Sequence, residues 1–211
     1  DEPMRSAYPA VKAAAAAIKA AAPGIRTLVT EPFTRALAGP IDIWCPDLWA
    51  LGDSMAFVPI AAQWPYRIHL DFQWNPYPSV YRERTARGEQ VWCYTSLASF
   101  VFDYPNLFID ARAESQRVIP WLAFRYGITG LLYWQTVFAY RQEGDPWSKP
   151  RLMMTNGDGN LLYPGTPGRE DIAAHQPVPS LRLVLLRDGI EDYEYLALLD
   201  RRGDGKLAAR L

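Results

Sequence analysis

Three features of the sequence predict an α/β fold built on a parallel sheet. Short, almost wholly apolar runs alternate with segments of helix-forming composition, the pattern of repeated strand–helix units. These runs lack the apolar/polar alternation of a sheet with one wet face, as strands covered on both faces should. Each run also stops in polar or aromatic residues: Thr30-Glu31, Trp44, Tyr94-Thr95 and Tyr133-Trp134-Gln135. Parallel sheets bind ligands at the carboxyl ends of their strands, and the longest irregular stretches follow the second, third and fourth runs.

The elements follow in order. "YPAVKAAAAAIKAAAPG" is a helix over about 8–22, rich in Ala, with Pro9 in its first turn and Pro23-Gly24 as its stop. "IRTLVTEP" is a strand ending near Thr30, "FTRALAG" a brief helical turn, and "PIDIWCP" a second strand ending at Pro46. The stretch 47–77 holds Gly52, Pro59, Pro65, Pro76 and many aromatics, and reads as a long loop of the kind that usually carries function. "YPSVYRERTARG" has helix composition and a Gly stop, and "EQVWCYTS" is the third strand. "ARAESQRVIPWLAFRYG" is a helix with an expected kink at Pro120. "ITGLLYWQTV" is the fourth strand, followed by a second long loop over 139–177. The last helix, "SLRLVLLRDGIEDYEYLALLDRR", is expected to break or bend at Asp188-Gly189.

Composition narrows the function classes. A chain of 211 residues with 49% hydrophobic and 21% charged residues is expected to form a single globular domain. A net charge of -1 offers no basic surface for nucleic acid, and no apolar run is long enough to span a membrane. The two histidines, His69 and His175, lie far apart in loops, so no metal site is expected, and neither a cofactor motif nor a nucleophile elbow is present. Cys45 and Cys93 sit in apolar strands and read as buried free thiols. Eight Trp and twelve Tyr suit either a large aromatic core or a site that stacks on the flat C–H faces of sugars.

Four strands are half the number that a closed (β/α)₈ barrel requires. The expectation is a partial TIM-type barrel, its second half, from the end of strand four to helix eight, with Asp1-Glu2 as the tip of strand four and the N-terminal half missing. An open four-stranded sheet would leave two edges exposed, so such a chain alone should behave poorly unless a further segment or a partner completes it.

The motifs "DEP" at 1–3, "IDIWCP" at 41–46, "RGEQVWCYT" at 87–95, "GLLYW" at 130–134, "DPW" at 145–147, "NGDGNLLYPG" at 156–165 and "SLRLVLLRDGIEDYEYL" at 180–196 occur in this order along nearly the whole chain. Together they resemble the domain of unknown function 4091, also described as the catalytic domain of glycoside hydrolase family 123. The resemblance implies a (β/α)₈ barrel and retaining, substrate-assisted hydrolysis of β-N-acetylgalactosaminides. It implies an oligosaccharide or glycoconjugate substrate and an extracellular or periplasmic place.

In that chemistry the sugar's own acetamido oxygen attacks the anomeric carbon. One carboxylate orients the acetamido N–H, and a second gives a proton to the leaving oxygen and later takes one from water. The resemblance assigns the first role to Asp1 and the second to Glu2. Neighbours on a regular strand point to opposite faces, so both can serve one pocket only where strand geometry ends, and Pro3 fits such a stop. Two solvated acids at a chain end are the plainer reading of the same residues.

Trp44, Tyr94, Tyr133 and Trp134 at strand ends are candidate subsite walls, or else interior packing. Alternation predicts that Tyr133 and Trp134 diverge, which leaves Tyr94 and Trp134 as the favoured pair. Asp145 and Asn156 could reach sugar hydroxyls, or simply form turns. "NGDGN" lacks the distal Glu of a calcium loop and reads as a Gly-rich turn. The charges of "RDGIEDYEYL" read as ion pairs on a packed helix. Two rival functions stay open: a non-catalytic carbohydrate-binding or structural barrel, and a glycosidase of other specificity pairing Glu2 with Asp42, Asp103 or Asp145.

Overall fold

The computed structural model describes residues 2–51, 79–97, 99, 104–138, 146–148, 151–152, 155–165 and 176–204. Asp1, Asp103, Asp145, His69 and His175 lie outside the described residues, as does most of the loop expected over 47–77. The chain divides into two compact units, Asp1–Tyr104 with Tyr126–Leu132, and Pro105–Arg125 with Tyr133–Leu211. Each unit is interrupted in sequence by a piece of the other, so no linker composition marks a boundary.

The first unit is a four-stranded parallel sheet with strands in chain order, which is the mixed α/β architecture the sequence predicts. Its strands are β1 (Leu28–Val29), β2 (Ile43–Trp44), β3 (Gln90–Tyr94) and β4 (Gly130–Leu132). Val29 pairs with Trp44, Trp44 with Val91, and Tyr94 with Leu132. The Ala-rich helix α1 (Tyr8–Ala21) precedes β1, and α2 (Ser79–Ala86) precedes β3. Burial explains the apolar composition of the strands: Val29, Ile43, Trp44, Cys45, Val91 and Cys93 are all buried, with Leu37, Leu48, Leu51 and Ile128 packed around them. Both cysteines are free thiols inside this core, as expected. Residues 48–51 form a 3₁₀ turn that begins after Cys45, Pro46 and Asp47 have followed β2.

The second unit holds α3 (Ala113–Arg125) and α4 (Leu181–Leu199). It also holds two antiparallel pairs: β5 (Arg151–Leu152) with β6 (Thr155–Asn156), and β7 (Leu162–Pro164) with β8 (Pro177–Pro179). β5, β6 and β7 fall within the stretch expected to be a loop and β8 begins at its end, because two- and three-residue strands are too short to show a hydrophobic period. Ser180 caps α4, its hydroxyl accepting from the Leu183 N–H at 3.3 Å. The helix then runs unbroken through Asp188-Gly189, so the expected break is absent. Gly189 serves another purpose there: a Cβ would lie 2.5 Å from the Arg117 carbonyl oxygen, so the glycine is what lets α3 and α4 approach. Arg117 and the Trp121 indole N–H then bind Asp192 at 2.6 and 2.9 Å, and Phe124 meets Tyr193 edge-to-face. The charged helix motif is thus used for packing. Pro120 lies inside α3, which continues on both sides of it.

Candidate functional site

Strand ends bring three carboxylates together at the carboxyl edge of the first unit's sheet. Glu31 stands two residues past β1 and Asp47 three past β2, while Glu2 arrives from the chain start. Glu2 is anchored at both ends. Its backbone N–H donates to Thr30 Oγ1 at 2.8 Å, and its Oε1 accepts from the hydroxyl of Tyr94, the last residue of β3. Glu2 has φ +38, alone among the described non-glycine residues in being positive. Backbone held in that region costs energy and persists where surrounding contacts impose it. Here Thr30 and Tyr94 are those contacts. Glu2 itself is exposed, whereas Tyr94 is buried.

Buried side chains support this acid. Tyr94's hydroxyl is held far above its ordinary range by burial, then by the negative charges of Asp47 and Glu2. It therefore acts as a neutral donor at any working pH. Asp47 accepts from Ser96 Oγ at 2.5 Å and from Ser99 Oγ at 3.1 Å. Burial pushes its carboxyl up to about 7; those hydrogen bonds pull against it and Glu2's charge adds to it. Glu31 is also raised by burial, opposed by the hydroxyl of Tyr8 and reinforced by Glu2. Burial at this edge thus favours the protonated forms of Asp47 and Glu31.

Glu31 and Asp47 were not singled out from the sequence. The available signal was an acid just beyond a buried apolar strand, the same signal that marked the aromatics. Asp42, a rival partner for Glu2, precedes β2 and so sits at the opposite, amino end of the sheet. Burial opposes its charge, yet the Lys19 ammonium at 2.6 Å and Thr27 hold its carboxyl below the usual range. Trp44 has no solvent-exposed surface; its indole N–H donates to Glu89 at 2.6 Å and its ring meets Phe33 edge-to-face. It is part of the core and presents no face to a sugar.

A different cluster forms in the second unit. Tyr133 and Trp134 do not diverge. The Tyr133 hydroxyl donates to Asp158 Oδ1 at 2.9 Å, and Trp134 Nε1 donates to the same oxygen at 3.0 Å. Alternation fails because β4 ends at Leu132, one residue earlier. The Tyr133 oxygen in turn accepts from the Gly159 N–H at 2.7 Å. Asp158 is 3% exposed. Burial raises its carboxyl, while Trp134, Tyr133, the Gly159 N–H and the positive charge of Arg182 work to keep it ionised. Arg182 binds the carbonyls of Leu107, Gly157 and Asn160, fixing the turn that carries Asp158. Asn156 lies in β6 and is occupied by Asp110, to which its amide donates at 2.8 Å. Asp158 was missed because an acid between two glycines reads as turn chemistry. Among the described residues, no group of three His, Cys, Asp or Glu could hold a metal.

Comparison with known proteins sets these clusters in a family. The model of the glycoside hydrolase 123 catalytic domain matches residues 58–199, more than half of the chain. The chain belongs to the glycoside hydrolase 123 catalytic domain family. The matched span includes Tyr94, Tyr133, Trp134 and Asp158, while Glu2, Glu31 and Asp47 precede it. Among solved structures, a family 123 glycoside hydrolase from Clostridium perfringens, described in connection with glycolipid glycan hydrolysis, shares the fold. Its TM-score is 0.56 at 18% identity, over 84% of this chain and 26% of that one, so this chain spans about a quarter of that enzyme. No curated protein matches the sequence. No helix among the described residues is long and apolar enough to cross a membrane.

Proposed function

We propose that this chain supplies the acid/base side of a glycoside hydrolase acting on β-linked N-acetylhexosaminides, N-acetylgalactosaminides foremost, by the retaining, substrate-assisted route. The observation that carries the reading is Glu2: an exposed carboxylate in strained backbone, held by a buried tyrosine at the carboxyl edge of a parallel sheet. Family membership supports the reaction class. The unbroken strand order supports a further part of the proposal, that the sheet is a portion of a (β/α)₈ barrel, since a doubly wound sheet reverses order at a switch point.

In the first step the acetamido oxygen attacks the anomeric carbon, the glycosidic C–O bond breaks, and Glu2 protonates the departing oxygen. In the second, water attacks the anomeric carbon, the oxazolinium C–O bond opens, and Glu2 takes the water proton. Asp1 orients the acetamido N–H during both. The neutral Tyr94 hydroxyl stabilises Glu2 each time the acid becomes a carboxylate.

The test is hydrolysis of an aryl β-N-acetylgalactosaminide by the intact protein, with NMR of the first-formed anomer. Retention of configuration and inhibition by a thiazoline mimic of the oxazolinium are expected. An inverted product, or indifference to the thiazoline, would contradict the route. Sugar binding without any turnover would favour a binding module.

A further inference from the structure

We propose that Asp158 is a positioning residue that fixes the Trp134 ring as a carbohydrate-stacking face on the second unit; this rests on the glycosidase reading above. Trp134 is 38% exposed, yet it is restrained on several sides. Its N–H edge is tied to Asp158 Oδ1, and the Phe138 ring packs against it, tilted by 59°, at a centroid distance of 4.8 Å. Its six-membered ring lies against Gly159, where a Cβ would come within 2.6 Å. Gly159 has φ +68, so the turn needs glycine both for its backbone and for the space that the indole fills.

The carboxylate behind the ring is unusual in placement. It is buried, it joins two neighbouring aromatics through one oxygen, and its turn is held by the buried guanidinium of Arg182. A turn needs none of this to close. Stabilising the turn would require Tyr133 alone, which already bridges Asp158 and Gly159. The indole N–H helps keep the buried carboxylate ionised, and the same bond removes the ring's freedom to rotate. A large apolar face kept in one orientation and open to solvent is what a pyranose ring requires, because stacking then costs no side-chain entropy on binding.

The test is a kinetic and binding cycle in the intact protein. Asp158→Ala removes the acceptor, Asp158→Asn keeps an oxygen there, and Trp134→Ala removes the ring. Asp158→Ala and Trp134→Ala should each raise KM by about tenfold with kcat little changed, and the double variant should add nothing further. Asp158→Asn should stay within about threefold of wild type, since one amide oxygen can still accept both donors. Unchanged KM in Asp158→Ala, or full additivity in the double variant, overturns the assignment. Should Asp158→Ala not fold, Asp158→Ser is read in the same way. Acrylamide quenching separates failure of the assignment from failure of the glycosidase reading. If wild type hydrolyses no glycoside but binds N-acetylgalactosamine, loss of that binding in Asp158→Ala supports the assignment. That loss should come with quenching that rises in Asp158→Ala and not when Trp134 is also replaced by Phe. Quenching that does not change in Asp158→Ala, or a wild type that binds no sugar, overturns it.

Discussion

The two units use the same kind of group, a carboxylate held by tyrosine, in opposite ways. Glu2 is exposed and its partner Tyr94 is buried. In the second unit the acid, Asp158, is the buried member, and the aromatic beside it, Trp134, is the one that faces solvent. An acid that exchanges protons with substrate has to be reachable, whereas an acid that orients a ring works best when nothing else can compete for it. In the proposed roles, the environment around each carboxylate, more than the residue type, separates the chemical from the mechanical.

Glu2→Gln should break the first cluster most deeply. Loss of the proton donor is expected to lower turnover on unactivated glycosides by about 10²–10⁴-fold, measured as kcat at saturating substrate. Tyr94→Phe should be the next largest: it removes a hydrogen bond to a charged group and is expected to lower kcat/KM by about 10–100-fold, with Glu2 still in place.

In the second unit the matching break is Gly159→Ala, which meets both the positive φ and the Trp134 ring. A loss of about 1–3 kcal/mol in unfolding free energy is expected by denaturant titration, together with a raised KM. If Gly159→Ala leaves KM unchanged in the folded protein, the contrast between the two clusters collapses.

The smallest effect concerns pH. Asp47, pushed up to about 7, binds its proton more tightly folded than unfolded. The folded state therefore holds more protons between the unfolded and folded values, so stability falls as pH rises from about 4 to 7. Wild type should lose roughly 5 °C of Tm across that window beyond any loss shown by Asp47→Asn, which cannot ionise. Identical slopes in the two proteins would remove Asp47 from the account, leaving burial of Glu31 as the remaining source.

Much of the architecture was legible because local pattern determines it. Continuous apolar runs gave the four parallel strands, and Pro23-Gly24 marked the end of the first helix. The sites were less legible because topology makes them. Glu2 and Tyr94 are 92 residues apart, and the resemblance rather than any spacing pointed to Glu2. Asp47 was hidden at the start of an irregular stretch, and Trp44 was left between rim and core because a strand end can face either. The expected divergence of Tyr133 and Trp134 applied a strand rule one residue past the strand. Gly189 read as a breaker because nothing local reveals that another helix backbone lies against it.

The claim that Glu2 is the proton donor is tested most directly by leaving-group dependence in wild type and Glu2→Gln. A 2,4-dinitrophenyl glycoside expels its leaving group without help, whereas an alkyl or sugar leaving group needs a proton. Glu2→Gln is expected to keep nearly the wild-type kcat/KM on the first, because that constant reports bond cleavage and not the later water attack that Glu2 also assists, and to lose it by about 10²-fold or more on the second. An equal loss on both substrates, or no loss on either, would contradict it.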